Sequence, residues 1–141
     1  MLDRKIFGSF IAFLAVYALP GCGQTYPTTP VSGTVKLDGK PLAGVEVHFA
    51  PVVDVNAPGP PFSHATTNEA GYYTLRCDNN RSGAVIGNHS VMLRRATERS
   101  EGKDAPRPTA VPRVYQSFAQ TPLQVDVKAG QEMYDLNLKS R

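Results

Sequence analysis

At 141 residues the chain has the length of one domain. Its 19% charged and 41% hydrophobic residues exclude both a disordered polyampholyte and a membrane bundle. A net charge of +3, with no clustered basic face, argues against nucleic-acid binding. Gly and Pro together supply 24 of the 141 residues, about 17% against an average of about 12%, which favours turns over long helices. The two cysteines, Cys22 and Cys77, are too isolated to form a paired-Cys zinc site.

In chain order, Met1–Lys5 is short and basic, and Ile6–Leu19 is a run of 14 uncharged residues. A spanning helix needs about 20 apolar residues. The basic start, short apolar run and small residues at its end predict a secretory signal peptide. Leu19-Pro20-Gly21-Cys22 then resembles the lipobox of bacterial lipoproteins. The resemblance implies that the Cys22 thiol is acylated and that the chain is cut just before it. The expected organisation is a signal peptide over residues 1–21, a lipidated Cys22 with a polar tether over 22–29, and one domain over 30–141. Two or more acyl chains anchor stably where one does not. The expected location is therefore the cell envelope, at the outer membrane or its periplasmic face. Gly23, where inner-membrane lipoproteins often carry Asp, favours the outer membrane.

From Val31 onward the apolar period is two. Val31, Gly33, Val35 and Leu37 alternate with polar residues, as do Val45, Val47 and Phe49. The same holds for Tyr73 and Leu75, for Val91 and Leu93 with His89, for Leu123, Val125 and Val127, and for Tyr134, Leu136 and Leu138. Each set predicts the buried face of a half-exposed antiparallel strand. The strands are expected near 31–37, 44–50, 63–67, 72–76, 88–95, 123–128 and 132–139. Asp38-Gly39 is the strongest hairpin signal. Asn68–Gly71 and Ala129-Gly130 are expected to join the third to the fourth and the sixth to the seventh strands. The fold class is thus all-β, a seven-stranded antiparallel β-sandwich. Pro51–Phe62 and Ala96–Pro122 remain as long connections, of the kind that is usually functional or disordered.

Val31–Val35, Asp38–Val45, Thr67–Leu75 (TNEAGYYTL) and Gly87–Val91 together resemble carboxypeptidase regulatory-like domains. That resemblance implies a transthyretin-like (prealbumin-type) sandwich and no reaction, because function belongs to sites rather than folds. Hydroxyisourate hydrolases of related fold end in Tyr-Arg-Gly-Ser, whereas this chain ends Leu138-Lys139-Ser140-Arg141. Intradiol dioxygenases use two Tyr and a close His pair, whereas His48, His64 and His89 are isolated in sequence. A metal site could only be assembled across strands, from His48, His64 and Glu46 or Asp54. The alternation places His48 on the solvent face, so no metal and no cofactor are expected. No nucleophile elbow, P-loop or His-Glu-x-x-His occurs. Tyr72 alone is no sugar platform. Cys77 is expected to be buried and inert.

The expectation is therefore a non-enzymatic, membrane-anchored module whose partner is an envelope protein or glycan. The alternatives are a carbohydrate-binding accessory domain and a small metal-dependent enzyme. The candidate partner contacts are Arg107, Arg113 and Tyr115, in the long connection. Arg and Tyr are hot-spot residue types, and the neighbouring prolines stiffen the backbone. The competing reading is that Val111, Val114 and Tyr115 only cover an open end of the fold.

Overall fold

The computed structural model describes residues 25–53, 59–96 and 111–141. Among them the chain is all-β. In order the strands are β1 (Thr28–Thr29), β2 (Ser32–Leu37), β3 (Lys40–Pro41), β4 (Val45–Pro51), β5 (Ser63–Thr66) and β6 (Tyr72–Thr74). They continue with β7 (Arg76–Cys77), β8 (Ala84–Val85), β9 (Gly87–Arg95), β10 (Gln124–Val127) and β11 (Leu136–Leu138). The one helical element is a 3-10 turn at Arg113–Tyr115. No helix among the described residues is long and apolar enough to cross a membrane.

The strands form a five-stranded antiparallel sheet in the order β10-β9-β4-β5-β7, a smaller sheet in the order β11-β2-β3 with β6 also paired to β2, and the short ribbon β1-β8. Each of the seven expected segments contains strand and its apolar parity holds, but the count of seven does not: the described residues hold eleven strands, the segment 72–76 is divided between β6 and β7 on different sheets, and only Leu136–Leu138 of 132–139 is strand. Val45, Val47, Phe49, Val91 and Leu93 of the larger sheet are fully buried, as are Val35 and Tyr73 of the smaller one. One cluster joins them, and the rings of Phe49 and Tyr73 lie 6.3 Å apart in it. Each such side chain taken fully out of water contributes about 1.5–3 kcal/mol.

Three expectations about connection are corrected. First, the pairing is not wholly antiparallel, because β11 runs parallel to β2, with Leu136 opposite Val35 and Leu138 opposite Leu37. Second, neither Ala129-Gly130 nor Asn68–Gly71 closes a hairpin. β10 pairs with β9 while β11 pairs with β2, and β5 pairs with β4 while β6 pairs with β2. Both turns carry the chain from one sheet to the other. Asp38-Gly39 does close a hairpin, with φ of 50° and 83°, the two positive values of a type I′ turn. Its second arm is only β3, after which the chain crosses to β4. Third, the expected tether is shorter, because Thr28 and Thr29 pair with Val85 and Ala84. Turn chemistry is local, but the sheet that a strand joins is chosen by distant partners.

Glycine is required at two close backbone approaches to the smaller sheet. A Cβ at Gly33 would overlap the Tyr134 carbonyl. Gly71 has φ of 73°, and a Cβ there would sit 2.7 Å from the Val35 carbonyl oxygen.

Candidate interaction surface

The outward face of the five-stranded sheet gathers polar residues that are distant in sequence. Register places His48 opposite His64 on one side and Met92 on the other. The two imidazoles stack with centroids 6.2 Å apart and planes 29° from parallel. Glu46 lies two residues earlier on β4 and therefore on the same face. Its Oε2 is 3.2 Å from His48 Nε2 and 3.5 Å from an Arg94 guanidinium nitrogen. His64 Nδ1 lies 3.0 Å from Asp78 Oδ1. The carboxylate oxygens can only accept in these contacts, and an Arg94 guanidinium nitrogen also lies 3.5 Å from His48 Nε2. These pairs are solvent-screened and contribute at most about 1 kcal/mol each, so the row marks what a ligand would meet more than what holds the fold.

The histidines and Glu46 considered as metal ligands thus do come together, which no spacing in the sequence revealed. Among the described residues, however, no group of three or more His, Cys, Asp or Glu side chains is placed to hold a metal ion. Arg94 sets a positive charge beside the carboxylate that such an ion would need. Asp54 lies outside the described residues.

An apolar group adjoins this row. Phe62 precedes β5 with the outward parity of His64, and it is 52% exposed. Its ring lies 6.2 Å from that of Phe118, whose backbone carbonyl is 3.5 Å from Ser90 Oγ of β9. Val52 and Val53, just past β4, and Ile86, just before β9, are also exposed. Sequence reasoning missed this group. The parity of Phe62 with His64 was available, but the approach of Phe118 depends on how the connection before β10 returns over the sheet.

Of the residues expected to matter, Cys22 and Arg107 lie outside the described residues. Arg113 is exposed on the 3-10 turn. Tyr115 is only 7% exposed and packs in the core cluster with Val111. Its hydroxyl donates to the Lys139 carbonyl (3.3 Å) and accepts from the Lys139 amide (3.1 Å). Val111 and Tyr115 therefore cover the fold, while Arg113 and Val114 face outward. Tyr72 stands on the smaller sheet, away from the phenylalanine pair. Hydrogen bonds to Ser32 and Thr74 hold its hydroxyl below the ordinary phenol range. Cys77 is buried, and its sulfur accepts a 3.2 Å bond from Ser63 Oγ.

His89 shares the inward parity of Val91 and Leu93, and it is 1% exposed. Its Nε2 donates to the Val85 carbonyl at 2.7 Å, which leaves Nδ1 as a buried lone pair without a partner. Burial holds its pKa below the ordinary imidazole value, only partly opposed by the bond to Val85.

No protein-family model matches the chain, and neither a curated protein nor a solved structure matches it.

Proposed function

We propose that the chain is a bacterial lipoprotein, anchored in the cell envelope through acylated Cys22, whose domain is a non-enzymatic interaction module built as a transthyretin-like sandwich. The observation that carries this reading is the lipobox-like Leu19–Cys22 at the end of a short apolar run, followed closely by the fold. Thr28 is already paired to Val85, so only residues 23–27 separate Cys22 from the first strand, a reach of at most about 18 Å. Such a chain holds its domain against a surface. The sandwich reading is supported by the core cluster shared between the two sheets and by Val45, Val47 and Phe49 facing into it. A partner approaching the connection over 96–122 would meet Arg113 and Val114, because Tyr115 is turned inward.

The test is processing of the full chain in a bacterial host. The expected product begins at Cys22, carries fatty acid and partitions with membranes. Cys22→Ser is expected to retain residues 1–21. A normally trimmed, soluble Cys22→Ser product would overturn the lipoprotein reading. Capture of envelope components by the intact lipoprotein, compared with Arg113→Ala, then tests the interaction role. Equal capture removes Arg113 from it.

A further inference from the structure

We infer that the apolar rim formed by Val52, Val53, Phe62, Ile86 and Phe118 rests in the interfacial layer of a lipid bilayer and fixes the domain's orientation on it. This rests on the lipoprotein reading and adds a second, non-covalent membrane contact to it.

Register places these residues together. β4 ends at Pro51 opposite His89, β5 begins at Ser63 opposite Phe49, and β10 ends at Val127 opposite Gly87. Val52, Val53, Phe62 and Ile86 therefore project from the same end of the five-stranded sheet, and Phe118 joins them through Phe62. Of the eight large apolar side chains exposed among the described residues, five are in this group. Scattered single apolar residues are ordinary on a surface, but five gathered at one end of one sheet suit an interaction site.

The occupant follows from where the chain comes in. The Ile86 amide donates to the Pro27 carbonyl at 3.0 Å, so Pro27, five residues after Cys22 in the sequence, lies at this rim. Five intervening residues cannot carry the rim more than about 18 Å from an acylated cysteine. At that range the effective concentration of lipid is high, and a patch too small to bind a membrane by itself can stay seated.

The charges nearby are balanced rather than basic. Asp78 and Arg81 lie in the turn after β7, and Asp126 pairs with Lys128 at 3.6 Å at the end of β10. The contact is thus apolar partition, with no requirement for anionic lipid.

The sequence contains no Trp, so single substitutions report on one place each. Full-length lipidated chains carrying Phe62→Trp, Phe118→Trp or Glu69→Trp would be reconstituted on phosphatidylcholine vesicles with brominated acyl chains. Glu69 is the control, in the turn beyond the opposite end of β5, about 20 Å away along the sheet. The expected result is blue-shifted emission and loss of intensity by bromine quenching at positions 62 and 118, unchanged in high salt, with neither at position 69. Flotation and the mass of the Cys22 peptide report the anchor separately. Lipidated protein that floats with position 62 unquenched overturns the inference. So does a blue shift at 62 that is the same without vesicles, which would mean that protein, such as a second copy, covers the rim. Equal quenching at 69 also overturns it. If Cys22 carries no lipid, the lipoprotein reading fails; quenching at 62 on added vesicles would then sustain the rim contact by itself, and its absence would remove both.

Discussion

The two main sheets are held together by different means. In the larger sheet β4 matches β9 over seven consecutive residue pairs, and its inward side chains are apolar apart from the buried Ser63 and His89. The smaller sheet has short ladders, with β11 meeting β2 at three positions and β3 meeting it at two. There side chains supply what the backbone does not. Tyr73 Oη donates to the Tyr134 carbonyl at 2.6 Å. Asp135 Oδ1 accepts from the amide and the hydroxyl of Thr34, at 2.9 and 2.8 Å, and these bonds hold its carboxyl below the usual range. The Ser140 amide donates to Asp38 Oδ1 at 3.1 Å, and Tyr115 clamps Lys139. At the crossover, buried Thr67 donates to the Leu42 carbonyl and accepts from the Val45 amide. A long ladder satisfies its own polar groups. A short one needs specific polar side chains, and each of these is a place where one substitution opens the structure.

The largest effect is expected in the larger sheet. Phe49→Ala removes a ring at 0% exposure from the shared cluster and should cost about 3–5 kcal/mol by urea unfolding. A loss near 1 kcal/mol would mean that the two sheets do not share one core. Gly71→Val tests the junction. Left-handed geometry with a β-branched side chain, pressed against the Val35 carbonyl, should cost about 2 kcal/mol, and an unshifted thermal melt would refute the turn. Tyr73→Phe strands the buried Tyr134 carbonyl and should cost about 1–2 kcal/mol. It should also loosen amide exchange along β11 while β4 and β9 stay protected. Uniform loosening would erase the contrast between the sheets.

A smaller effect concerns His89. Its pKa is lowered in the fold, so the unfolded chain binds its proton first. Stability should therefore be full above about pH 6.5 and fall as pH drops below it. His89→Gln, which keeps a donor for Val85 without titrating, should flatten the slope of stability between pH 7 and 5. An identical slope in both proteins would assign the dependence elsewhere. The smallest effects are expected from Glu46→Lys and His48→Ala on the outward face, each within about 0.5 kcal/mol. Loss of folded protein from either would mean that the strand's faces are reversed.

Much of this was legible in the sequence. The alternation from Val31 to Leu138 marked the longer strands and their buried faces, though not the two-residue strands β1, β3 and β8, because the side-chain period of a strand is fixed at two and one face must leave water. Asp38-Gly39 specified its turn, and Asn68 with Gly71 specified theirs: Asn68 Oδ1 accepts from the Ala70 and Tyr72 amides as such a turn requires. The partners of those strands were not legible. The parallel seat of β11, the crossings at Asn68–Gly71 and Ala129-Gly130, the capture of Thr28–Thr29 by β8, the inward turn of Tyr115 and the meeting of Phe62 with Phe118 all join residues far apart along the chain. Periodicity constrains a strand's own faces through local geometry. Which strand lies beside it, and which loop closes over it, is settled by the shared burial of many side chains at once, and that exists only in the assembled tertiary structure.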